Sequence, residues 1–172
     1  MISDIKQLIK LGYISKDDSV KNLSQKYMQK ARNNLITMSL LLEISNNKKA
    51  REMLSISPEY NGDEWVVITG YYAMYSAALA LIARIGYKSK NHSATIMLLE
   101  EFFMKKRLMS AEDLNLLKNA IIQKSEIEKL SDARHKREIA QYSVTKQTTK
   151  EIAESIKKDA YNFVNKIQSI LE

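Results

Sequence analysis

The chain has 172 residues, 45% hydrophobic and 27% charged, with four glycines, one proline and no cysteine. That composition suits one domain with a real core; it excludes a disulfide scaffold, a thiol nucleophile and a thiolate metal site, and it is too poor in turn residues for many short strands. The formal net charge of +7 pulls moderately toward polyanions, because each neutralised phosphate releases counterions, although a basic surface serves solubility as well.

The first sixteen residues, MISDIKQLIKLGYISK, scatter their charges and hold no apolar run long enough for a secretory signal. A cytoplasmic location is therefore expected. A short helix is predicted over 3–11, stopped near Gly12, since glycine tolerates the left-handed conformation that ends many helices. Residues 1–16 read as an N-terminal extension ahead of a single domain over 17–172. A long helix is predicted from Asp18 to Ser45, where Val20, Leu23, Tyr27, Ala31, Leu35, Met38 and Leu42 recur every three or four positions. Asp17 or Asp18 supplies its cap. Residues 46–63 hold Pro58, a glycine and several Asn and Ser, and read as a connection with one helical turn around Ala50–Leu54.

The third helix is predicted to begin near Asp63 and end at Gly86. From Trp65 to Ala83 it runs 19 residues without a charge, within the lower range for crossing a bilayer. Against a span, Tyr71, Tyr72 and Tyr75 stand in mid-segment and alanine is abundant. Ile68, Tyr72, Tyr75, Leu79 and Ile82 line one face, while Val67, Gly70, Met74, Ala77, Leu81 and Ile85 line another. A helix apolar on nearly all sides is a buried one, so this segment is predicted to be the central helix of a bundle, and no membrane partner is expected.

Asn91 opens a fourth helix, NHSATIMLLEEFFMKK, with Ile96, Leu99, Phe102 and Phe103 facing inward. Ser110 opens a fifth with a capping-box pattern, Ser110-x-x-Asp113, in which each side chain satisfies the other's backbone N–H. Its stripe of Leu114, Leu117 and Ile121 loses phase over QKSEIEK, residues 123–129, and resumes at Leu130, Ala133, Arg137 and Ala140, which predicts a kink or break. The last helix is predicted over Thr149–Leu171, with Ile152, Ile156, Ala160, Phe163, Ile167 and Ile170 on one face. No long alternating stretch and no internal repeat is present. The expected fold class is all-α: an antiparallel up-and-down bundle of four to five main helices with a short N-terminal helix.

Two segments carry a family resemblance. "YYAMYSAALALIARIGYKSKNHSATIMLLEEFF", residues 71–103, pairs aromatic residues with small ones, then a glycine, then a lysine-bearing turn that leads through His92 into the next helix. "ARHKREIAQYS", residues 133–143, holds Arg137-Glu138-Ile139-Ala140-Gln141-Tyr142, similar to an Arg-x-x-Ala-Asp-Tyr segment. Together they resemble the HEPN-domain family over roughly residues 20–171. The resemblance implies a helical bundle, a homodimer, and either a partner for a minimal nucleotidyltransferase in a toxin–antitoxin or stress/defence setting or a metal-independent ribonuclease. It also implies a groove lined by Arg134, Arg137, Tyr142, Tyr71, Tyr72 and His92 that takes RNA or a nucleotide.

The ribonuclease branch places a histidine four to six residues after an arginine, so that imidazole moves a proton while guanidinium stabilises charge on the phosphate. This chain lacks that spacing. Gln141, Tyr142 and Ser143 follow Arg137 there, and Glu138, Ile139 and Ala140 follow Arg134. His135 adjoins Arg134 and so projects about 100° away from it on a helix. No catalytic residue is assigned; a ribonuclease would have to use His92, His135 and Arg137. No cofactor and no metal are expected. The expected function is thus a nucleic-acid- or nucleotide-binding module, with a non-standard endoribonuclease as the alternative. Plainer readings stand beside these: RHKRE as a solvated helix face, Arg137 as a half-buried ion-pair partner, and His92 as a turn or capping residue.

Overall fold

The computed structural model describes the backbone of residues 2–136 and 145–172 and the side chains of residues 5–128 and 150–172. Among the described residues, seven α-helices succeed one another: α1 (Ile2–Lys10), α2 (Ser24–Asn46), α3 (Lys48–Met53), α4 (Asp63–Arg84), α5 (His92–Leu99), α6 (Ala111–Lys136) and α7 (Thr145–Leu171). The long ones form the expected up-and-down bundle, with α4 packed against α2, α6 and α7. Residues Ala73, Ala77, Ala78 and Ala80 are fully buried, and these small side chains let α4's neighbours come close. Gly70 allows one such close approach: an added Cβ there would sit 3.0 Å from both Ile156 Cγ1 on α7 and Met38 Sδ on α2. By length and composition α4 could cross a membrane, but 72% of its most apolar window is buried inside the fold. Its apolarity is that of a core helix.

The capping predicted at Ser110 is present in both directions. Ser110 N donates to Asp113 Oδ2 at 2.9 Å, and Asp113 N donates to Ser110 Oγ at 3.1 Å. Gly86 follows α4 with φ +79, a left-handed conformation that a side chain would strain. Its Cβ would also meet Asp18 Oδ1 at 2.6 Å.

Four local features differ from the sequence-based expectation. Residues Asp18–Leu23 form a 3₁₀ turn rather than the first turns of α2. Asp17 caps that turn, its Oδ1 accepting from Ser19 N at 3.0 Å and Ser19 Oγ at 2.6 Å. After α5 the chain passes through a π-helical turn, Glu100–Met104. The chain also carries a two-stranded antiparallel ribbon, β1 (Ile14–Lys16) with β2 (Tyr87–Ser89), strands too short to show alternation. The fourth difference is a correction: α6 runs unbroken through 123–129. The stripe loses phase there because Lys124, half-buried, takes an inward place between Ala120 and Ile127, with its ammonium tied to Glu128 at 2.6 Å. A paired lysine, not a kink, interrupts the apolar pattern.

Candidate functional site

The polar chemistry of the described residues gathers where α4, α5 and α6 meet. Tyr71 and Tyr75 lie four residues apart on α4 and so project from the same face; their rings stack with centroids 5.7 Å apart and planes 15° apart. Tyr71 is buried, 3% exposed. Tyr72, the next residue, turns outward at 42% exposure while its ring stays 4.8 Å from that of Tyr71.

His92 reaches this cluster because it is the first residue of α5. Asn91 caps that helix, its Oδ1 accepting from Ala94 N at 2.8 Å, and so fixes where the helix starts. The imidazole Nε2 lies 2.6 Å from the Tyr71 hydroxyl, and the ring meets Tyr75 edge-on with centroids 4.9 Å apart. Behind it, the fully buried Thr95 hydroxyl donates to Asn91 O at 3.1 Å. That uses its one proton, so its lone pairs accept from Ser89 Oγ at 2.6 Å and Tyr75 Oη at 3.3 Å. From α6, Lys124 Nζ stands 5.5 Å from the centroid of the Tyr71 ring, within cation–π range.

Burial, and then the charge of Lys124, hold the His92 pKa below its ordinary value. Burial, then the neighbouring Tyr75, Tyr72 and Glu128, push the Tyr71 hydroxyl above its own. Both groups are therefore neutral near pH 7. A neutral phenol is a stronger acid than a neutral imidazole N–H, so Tyr71 O–H donates to Nε2 and the ring's own proton sits on Nδ1. This tautomer is an assignment from the relative acidities of the two groups.

Of the residues expected to form the groove, Tyr71, Tyr72 and His92 are brought together. Arg134 and His135 fall in the last turn of α6, but their side chains, and Arg137 and Tyr142 altogether, lie outside the described residues. Tyr75, Thr95 and Lys124 belong to the cluster and were missed by sequence reasoning. Lys124 had a signal: it lies at the point where the stripe loses phase. His92 is not the cap of α5; Asn91 is. Among the described residues, no group of three or more His, Asp and Glu is placed to hold a metal ion.

Residues 24–170 match the family model described as "HEPN domain". The chain is also similar to the UPF0332 protein of Archaeoglobus fulgidus, with 36% identity over 101 residues, which is 59% of this chain and 70% of that relative.

Proposed function

Because the chain belongs to the HEPN-domain family, we propose that the face built by Tyr72, Tyr71, His92 and Lys124 binds single-stranded RNA or a nucleotide. The observation that supports this most is the half-exposed Tyr72 ring beside a buried lysine-bearing aromatic cluster. An exposed tyrosine offers a stacking platform for a base, the Lys124 ammonium attracts phosphate, and Nδ1–H of a neutral imidazole donates without adding charge. The net charge of +7 favours the same ligands. Arg134, Arg137 and Tyr142 extend this surface in the proposal, in keeping with the motif they carry. The proposal also takes the chain as a cytoplasmic homodimer working with a nucleotidyltransferase-type partner in a toxin–antitoxin or stress/defence setting; the family resemblance supports that part.

The alternative is a metal-independent endoribonuclease using His92, His135 and Arg137. The short Tyr71–His92 bond gives His92 a defined tautomer, as a proton-transfer group needs. It also weighs against His92 as a base, because the Nε2 lone pair already accepts from Tyr71. Binding is the better-supported reading. Titrating the full chain with fluorescent single-stranded RNA and with ATP, at several salt concentrations, tests both. Saturable binding that weakens as salt rises, with the RNA left intact, supports a binding module. Metal-free cleavage abolished by His92→Ala favours the alternative, and no binding of either ligand at low salt rejects both.

A further inference from the structure

Residues ahead of the family match hold the turn that delivers His92. Lys90 N donates to Tyr13 O at 2.9 Å, and Asp17 N donates to Gly86 O at 2.8 Å. Between these bonds, Ile14 faces Ser89, Ser15 faces Lys88 and Lys16 faces Tyr87. Bonded and non-bonded pairs alternate along an antiparallel ladder, so bonds at 13·90 and 17·86 make Ser15 and Lys88 the bonded pair in the middle. Ile14 is 1% exposed and seats the ribbon in the core. Lys88 Nζ pairs with Asp17 Oδ2 at 2.7 Å, and that bond, with those from Ser19, holds the Asp17 carboxyl down at about 2. On its other side the turn is fastened through Ser89 to Thr95, the hydroxyl that Tyr75 also reaches. Residues 86–90 are thus tied along their length to residues 13–17 and, at Ser89, to Thr95 as well, and His92 follows two residues later.

We propose that residues 13–17 are a positioning strap: paired with 86–90, they keep His92 bonded to Tyr71 with its proton on Nδ1, and their release frees the imidazole. A two-stranded ribbon of three residues a side is marginal on its own. Opening it uncovers little apolar surface besides Ile14 and leaves the long helices packed, so it is a local event that precedes global unfolding. Release strips the buried Tyr71 hydroxyl of its acceptor and returns the Nε2 lone pair to solution. The strap therefore sets whether His92 presents a fixed donor or a free base. This holds whatever ligand the site takes.

The test is ¹⁵N NMR of the His92 ring in the full chain, through a pH titration. Wild type shows the Nδ1–H form and a midpoint below the ordinary imidazole value of about 6.5. Ser15→Pro removes the central ladder donor; the ring then shows a mixture of the two tautomers and its midpoint rises toward that value. Ile14→Ala loosens the strap without touching the ladder, shifts the midpoint the same way by less, and decides the matter if Ser15→Pro does not fold. Leu42→Ala, a core change at the end of α2 that packs toward the start of α4 and away from the strap, lowers the melting temperature and leaves the ring signals alone. His92 signals unchanged in both strap variants, or a wild-type ring protonated on Nε2, would overturn the proposal.

Discussion

The Tyr71 hydroxyl and His92 Nε2 lie 2.6 Å apart, although 21 residues separate them in the chain. The bond joins the middle of a largely buried helix to the first residue of a short one. Tyr71→Phe keeps the ring, its stack on Tyr75 and its place under Lys124, and removes only the donor. His92 Nε2 is then left unpaired in a partly buried site, which costs about 1–3 kcal/mol. Chemical denaturation of the two proteins measures the difference. Because Tyr71 stabilises the neutral imidazole, the same variant raises the His92 midpoint.

His92 also makes stability depend on pH, and the sign is fixed. Its folded pKa is depressed by burial and by Lys124, so between that value and about 6.5 the unfolded chain holds a proton that the folded chain lacks. Stability from this group therefore rises with pH through that window and is lost as pH falls. Melting temperatures across the window should rise more steeply with pH in wild type than in His92→Gln.

Much of this architecture was legible in the sequence. The stripes of α2 and α7 fell mostly on residues that are buried, such as Ala31, Leu35, Ile156 and Phe163, because a three-to-four spacing on a long helix leaves little choice of facing. On α4, the expected apolar face includes Tyr72, which is instead 42% exposed. The Ser110–Asp113 cap was legible for the same local reason. Tyr71, Tyr72 and His92 were recognised through a motif, not through periodicity. What could not be seen depended on contacts across the fold. The strands at 14–16 and 87–89 are too short to show a period of two, and Tyr75, Thr95 and Lys124 acquire their roles only from neighbours on other helices. Lys124 shows most clearly how an interrupted apolar stripe can mark an inward, paired polar residue instead of a break.

Tyr72 lies outside the core at 42% exposure, so its removal should separate binding from stability. Tyr72→Ala is expected to weaken RNA binding by about 1–3 kcal/mol, the usual worth of a base stacked on an aromatic ring. It should cost the fold about 1 kcal/mol or less, from the lost contact with Tyr71. Anisotropy titration and thermal unfolding of one preparation provide both values.

Lys124 and Glu128 predict effects of opposite sign. Lys124→Gln removes one phosphate contact, so the slope of log K against log salt becomes less negative by about 0.7 for a single strand. Glu128→Gln frees Lys124 from its 2.6 Å ion pair, and binding tightens. Salt series on both variants check the pair.

Gly86→Ala forces an alanine to φ +79 and places its Cβ against Asp18. The left-handed conformation alone costs about 1–2 kcal/mol, and urea unfolding should report a loss of at least that order.

The central claim is that the Tyr72–Tyr71–His92–Lys124 face is where the ligand binds, and the most direct measurement maps it. The full chain, with ¹⁵N-labelled histidine and ¹³C-labelled tyrosine rings, is titrated with a short single-stranded RNA. The account predicts saturable shifts of the His92 and Tyr72 ring signals that weaken as salt rises and vanish when Tyr72→Ala and Lys124→Gln are combined. RNA binding that leaves both rings unmoved, or that survives the combined substitution at full strength, would contradict it.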